Sequence, residues 1–86
     1  MSELSRFYGL VIRMYYDDHP PPHFHIQYGE HKAKVAIETL TLLNGYLPNR
    51  ALGLVVEWAS LHQEELGSRW QAAENHQVLL RIPPLP

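Results

Sequence analysis

Eighty-six residues leave room for one domain, spanning residues 1–86, and no second core. Nine Asp and Glu against seven Lys and Arg give a formal charge of −2, which argues against a general polyanion binder. Six histidines soften that charge near pH 6, so a local basic face stays open. The chain has no cysteine, which excludes disulfides, thiolate metal sites and thiol nucleophiles.

The opening MSELSRFYG lacks the apolar run of a secretory signal, and no stretch is long enough to span a bilayer. A cytoplasmic protein with no membrane partner is the expectation. A domain this small buries only about 60–65% of its unfolded-chain surface, so a homo-oligomer would be a natural supplement to its stability.

Residues 6–16, RFYGLVIRMYY, are rich in β-branched and aromatic types and read as one strand. Its more apolar side carries Tyr8, Leu10, Ile12, Met14 and Tyr16, and the other carries Phe7, Gly9, Val11, Arg13 and Tyr15. DDHPPP follows. Proline has no amide hydrogen and a fixed φ, so residues 20–22 belong to a loop.

HFHIQYGEHKAKVAIE then reads as a hairpin, with Gly29-Glu30 as its two-residue turn. That register sets Tyr28 opposite His31, Ile26 opposite Ala33, Phe24 opposite Val35 and His25 opposite Lys34. One face then carries Phe24, Ile26, Tyr28, Ala33, Val35 and Ile37. The other carries His23, His25, Gln27, Lys32, Lys34 and Glu38. A one-residue slip would scramble this segregation, which is why the pattern supports the register. Parity also places Arg13 near His25 and Tyr15 near His23. His31 falls on the apolar side.

TLLNGYL, residues 41–47, reads as a fourth strand, reached through a turn near Thr39-Leu40. In PNRALGLVVEWASLHQEEL, Ala51, Val55, Trp58, Ala59, His62 and Leu66 recur at helical spacing, with Pro48 suited to the first turn. Gly67 reads as the residue that ends this helix, and SRWQ at 68–71 as a capping box opening a second, short one. SLHQ at 60–63 fits the same box in mid-helix, so the motif discriminates weakly. The tail QVLLRIPPLP reads as extended and proline-stopped. The expected architecture is α+β: an antiparallel sheet of three to four strands packed on one long C-terminal helix, its other face open.

The open face holds the chemistry. His19, His23 and His25 follow H-x-x-x-H-x-H, and two strand residues two apart project from one face. These three nitrogens, with an oxygen from Asp17 or Asp18, would suit a divalent metal such as zinc. Lys34 and Arg13 beside them oppose a dication. The same face also has the equipment for cleaving RNA. His23 or His25 would move a proton, Arg13, Lys32 and Lys34 would hold phosphate, and Tyr15, Tyr28 or Phe24 would stack a base. The plain alternative is that His23 and His25 are polar-face strand residues, with prolines that keep an edge from aggregating. His62 and Trp58 read as core or core-rim residues, and Glu57, Glu64 and Glu65 as a solvated helix face.

SRFYGLVIRMYYDDHPPPHFHIQYGEHKAKVAIET, followed by LPNRALGLVVEWASLHQEEL, resembles the bacterial domain of unknown function 4160 family. Its hallmark is a strand ending in R-M-Y, then D-H-x-P-P-H-F-H-x-x-Y-G, a lysine- and alanine-containing strand, L-P-x-R, and a helix with E-W. Thr39-Leu40 departs from the glycine turn expected after I-E-T. The resemblance brings no activity with it. It implies a gene pair with the unknown-function family 2442, arranged like a toxin and antitoxin, with this chain the toxin-like member and a small cognate protein from the same operon as its partner. A weaker likeness is to the HicA family of small mRNA interferases, which carry a histidine on a helix-backed three-stranded sheet. His25 with Lys34 would be the analogue, although the N-terminal helix of that fold is missing here. Together these imply a ribonuclease-like or RNA-binding role, with a non-enzymatic metal-binding or interaction module as the alternative.

Overall fold

The β-forming run near the N-terminus folds as two strands, not one. In the computed structural model, which describes residues 2–86, β1 is Ser2–Phe7 and β2 is Leu10–Met14. The turn between them is Tyr8-Gly9, with φ of +49° and +82°, the two positive angles that a type I′ hairpin needs. Tyrosine is an unusual residue there, and its hydroxyl donates to the Pro86 carbonyl at 2.6 Å. The reversal corrects the expected faces. Phe7 is buried, and Tyr8 is exposed at the turn.

β3, His23–Tyr28, and β4, His31–Ala36, pair in the expected register, including His25 with Lys34 and Phe24 with Val35. β2 pairs with β3 so that Arg13 lies opposite His25. β5, Leu42–Gly45, completes an antiparallel meander in the order β1-β2-β3-β4-β5. The sheet therefore has five strands where three to four were expected. The missed strand is the first, because nothing in an uninterrupted β-forming run marks where it folds back.

The long helix is also corrected. α1, Asn49–Leu61, ends at His62, whose φ of −128° leaves the helical region, and α2, Gln63–Glu74, follows at once. Gly67 lies inside α2, not at a terminus. The break turns Leu66, Trp70 and Ala73 back toward the core, where all three are buried. The Gln63 side-chain amide holds the corner by donating to the carbonyls of Ile37 and Glu38, at 2.8 and 3.2 Å.

The core lies between the apolar sheet face and the helices. Leu10, Ile12, Met14, Phe24, Ile26 and Val35 meet Val55, Trp58 and Ala59. Trp58 is fully buried, with ring centroids 5.4 Å from Phe7 and 6.0 Å from Phe24. Its indole N–H donates to the Pro83 carbonyl at 2.9 Å, so burial leaves no orphan donor. The tail that supplies Pro83 runs back along β1. The Ile82 amide donates to the Leu4 carbonyl at 2.7 Å, and Leu79, Ile82 and Leu85 join the core. No described helix is long and apolar enough to cross a membrane.

Gly45 has φ +85°, and a Cβ there would fall 2.0 Å from the Lys32 carbonyl oxygen. At Gly29, φ is +58° but nothing lies within 4 Å. Gly29→Ala should therefore cost about 1 kcal/mol, the left-handed penalty alone. Gly45→Ala should cost clearly more, because backbone must move as well. Urea melts of the two variants side by side check the ranking.

Glu3 accepts from both Arg6 and Arg81 at 2.8 Å, which ties the tail to β1. Hydrogen bonds from Arg6 and then Arg81 lower its pKa from 4.5 to about 2. A depressed carboxyl stabilises the fold above its unfolded pKa and loses that contribution as pH falls through its folded value. Wild type should therefore melt above Glu3→Gln at neutral pH. The gap should close as pH falls from 4.5 toward 2. A gap that does not change with pH would contradict the assignment.

Candidate functional site on the open sheet face

The site begins in the loop between β2 and β3. Leaving β2, the chain takes a positive φ of +58° at Asp17 and passes the prolines with the Pro20-Pro21 bond cis. The loop is fastened to the sheet where β4 ends, since the Ile37 amide donates to the Pro22 carbonyl at 3.0 Å. This path folds Asp18 back over the first residues of β3. The His19 amide donates to Asp18 Oδ1 at 3.0 Å, and His25 Nε2 donates to Asp18 Oδ2 at 2.8 Å.

His23 departs most from expectation. Strand parity places it with His25 on the open face, yet it is only 4% exposed. Trp70 of α2 closes over it, ring to ring at 5.3 Å, while the His25 ring stands edge-on at 5.1 Å. His23 Nδ1 donates to the Pro21 carbonyl at 2.7 Å. A neutral ring so engaged leaves Nε2 as a bare acceptor. That nitrogen is buried and has no hydrogen-bond partner. Asp18 Oδ2 lies 3.1 Å away, close enough for an ion pair but not aligned as a hydrogen bond.

The result is a convergence of three ligand-type atoms. Asp18 Oδ2 lies 3.1 Å from His23 Nε2 and 2.8 Å from His25 Nε2, and one ligand atom from each of the three residues lies within 4.8 Å of the others. His19, expected as the third nitrogen, is exposed and outside this group. Of the two aspartates expected to offer an oxygen, Asp18 joins the group, since the loop turns it inward and His19 outward. Asp17 is exposed too and pairs with His76 at 3.0 Å.

Next to this convergence the open face is cationic. Arg13 lies across from His25 on β2, and Lys34 lies across from it on β4. Arg13 donates to Gln27 Oε1 at 2.8 Å. Arg13, Tyr15, His25, Gln27 and Lys32 line a depression of about 320 Å³. Arg13, Lys32 and Lys34 thus all reach the face assigned to them from sequence. Among the aromatics, only Tyr15 borders the depression. Its ring lies 4.2 Å from that of His25, which in turn stands 5.1 Å from His23. Phe24 is fully buried, and Tyr28 packs against the core.

Burial pushes the His25 imidazole below its usual pKa, and His23 and Lys34 push the same way, against the raising hydrogen bond to Asp18. Burial would raise the Asp18 carboxyl. The His25 hydrogen bond, the His19 amide and the two imidazoles outweigh it, leaving the carboxyl below its ordinary value. Both directions describe an ionised carboxylate beside a neutral imidazole, which is the arrangement that orients a histidine through one nitrogen and leaves the other free.

His62, read from sequence as core or core rim, is half-buried at the helix break. Its ring lies 5.4 Å from that of Trp58, and its Nδ1 contacts Glu65. His31 stacks edge-on with Tyr46 at 5.2 Å. Neither reaches the site.

The hydrogen bonds assign opposite tautomers to neighbouring rings: Nδ1–H in His23 and Nε2–H in His25. Long-range ¹H–¹⁵N correlation of metal-free protein above pH 7 should resolve one ring of each kind. The same tautomer in both rings would contradict this geometry.

No curated protein and no solved structure matches the chain. A family model described as a domain of unknown function, DUF4160, matches residues 9–71, from the N-terminal turn through the site loop and α1 into α2. That match covers well over half of the chain and includes Asp18, His23, His25, Arg13, Lys32 and Lys34, so the protein belongs to the DUF4160 family.

Proposed function

We propose that the open sheet face binds the phosphodiester backbone of RNA and that this chain is the toxin-like member of a two-protein system. The supporting observation is the juxtaposition of a carboxylate-oriented histidine with three cations on one face. Asp18 holds His25 by its Nε2 hydrogen, while Arg13 and Lys34 flank His25 on the adjacent strands and Lys32 lines the same depression as Arg13. In this reading Arg13, Lys32 and Lys34 place the phosphate and offset charge developing on it. His25, with Nδ1 free, takes or gives the proton. His23 acts through Asp18 and not on the substrate, because it is buried. Tyr15 offers one stacking surface at the rim. A small cognate protein covering this face would silence it by occupying the same cations.

The test pairs growth with binding. Expression of the wild-type chain alone should inhibit a bacterial host. His25→Ala should abolish inhibition with the melting temperature essentially unchanged, because His25 is only partly buried. Arg13→Ala and Lys32→Ala should each weaken binding to single-stranded RNA and lower the slope of log K against log salt by about one. A His23→Ala/His25→Ala variant that folds and still inhibits growth would sink the proposal.

A further inference from the structure

In the proton-transfer reading His23 touches no substrate and acts only through Asp18. Burying an imidazole with one nitrogen unpaired is destabilising, and the fold does so next to two other ligand-type groups. His23 Nε2 is buried with no hydrogen-bond partner and lies 3.1 Å from Asp18 Oδ2, the atom that His25 Nε2 meets at 2.8 Å. A neutral imidazole lone pair facing a carboxylate oxygen is repulsive, and what such a pair lacks is a positive charge between them. The contact is not aligned as a hydrogen bond, so a proton does not fill that role well.

We infer that Asp18, His23 and His25 form a binding site for a first-row divalent transition-metal ion, ligated by Asp18 Oδ2 and the two Nε2 atoms. Three independent features support it. The first is spacing. Ligand atoms about 2.1 Å from an ion stand about 3.0 Å apart in octahedral and about 3.4 Å apart in tetrahedral geometry. The two separations to Asp18 Oδ2, 2.8 and 3.1 Å, are close to these, and the three ligand groups together lie within 4.8 Å, so that the two imidazoles need at most a small approach to each other.

The second is outer support. Ligating histidines commonly donate their remaining N–H to a carbonyl, which fixes the ring and its tautomer. His23 Nδ1 already donates to the Pro21 carbonyl at 2.7 Å, leaving Nε2 for an ion. The third is access. His23 is the inner ligand at 5% side-chain exposure, while Asp18 and His25 each keep 19%, so an ion can arrive from the open face.

Two imidazoles and one carboxylate suit zinc, iron(II), cobalt(II) or nickel(II) better than magnesium or calcium. Binding asks one change of His25, whose hydrogen must move from Nε2 to Nδ1. The ion would then stand beside the Arg13 and Lys32 depression and take over activation of a nucleophile from the imidazole. Arg13 and Lys34 oppose a bare dication but favour an anion shared with it. That last use rests on the phosphodiester reading, whereas metal binding itself does not.

The experiment uses untagged full-length protein, freed of metal with a chelator and titrated with zinc by calorimetry. Cobalt(II) absorption serves as a second probe. One equivalent should bind and raise the melting temperature. Asp18→Asn and His25→Gln should each weaken zinc binding at least tenfold while remaining folded. These two carry the test, because His23→Gln alters a buried residue and so confounds binding with folding. His19→Ala should bind zinc like wild type. Failure to take up zinc or cobalt, uptake unchanged by Asp18→Asn and His25→Gln, or loss of uptake in His19→Ala would each overturn the inference. RNA binding by a chain that takes up no metal would overturn the metal site and leave the proposed function standing. Metal uptake by a chain that binds no RNA would support the site and remove the proposed function.

Discussion

A single carboxylate oxygen organises this molecule's open face. Asp18 Oδ2 stands 2.8 Å from one imidazole nitrogen and 3.1 Å from another, and much of the surrounding structure serves to keep it there. The proline-rich loop turns back over β3 and is pinned to β4 through the Pro22 carbonyl. The Pro21 carbonyl fixes one face of His23, and Trp70 of α2 covers another. The helix break at His62 is what lets α2 bring Trp70 there. A break in chain direction between the helices is thus coupled, through one tryptophan, to the environment of one histidine on the sheet.

The charge distribution on that face runs against the chain as a whole. The formal charge is −2, yet near His25 three cations, Arg13, Lys32 and Lys34, face one carboxylate, Asp18. This local reversal gives the face a positive character, and it is confined to strands β2 to β4. The strand positions of the three cations fix their mutual distances without help from flexible loops. Asp18 is the exception, since it arrives on a loop, and that loop is the part of the site with the most backbone constraint.

Much of this was legible in the sequence, for identifiable reasons. The β3–β4 hairpin has an obvious turn residue in Gly29 and an alternating pattern that tolerates no slip, so its register and the shared face of His25, Lys32 and Lys34 could be read directly. Arg13 followed from parity along β2. The β1–β2 hairpin could not be read the same way. Tyr8-Gly9 interrupts a continuous run of strand formers, and the tyrosine is held in the turn partly by the distant Pro86 carbonyl. The helix break was hidden too. Apolar spacing continues in step from Val55 to Leu66, and the anchoring Gln63 bonds reach back to residues 37 and 38. An oxygen from Asp17 or Asp18 was legible, but that Asp18 turns inward while Asp17 and His19 turn outward was beyond periodicity, because three prolines fix φ but do not fix which neighbouring side chain turns inward. The burial of His23 required knowing where Trp70 goes.

The convergence of Asp18, His23 and His25 is the centre of this face. Anomalous diffraction from crystals of untagged protein grown with zinc tests it most directly. The predicted result is one strong peak about 2.0–2.2 Å from Asp18 Oδ2 and the Nε2 atoms of His23 and His25, with the side chain of His19 out of contact. A map with no peak there, or a peak held by His19 in place of Asp18, would contradict it.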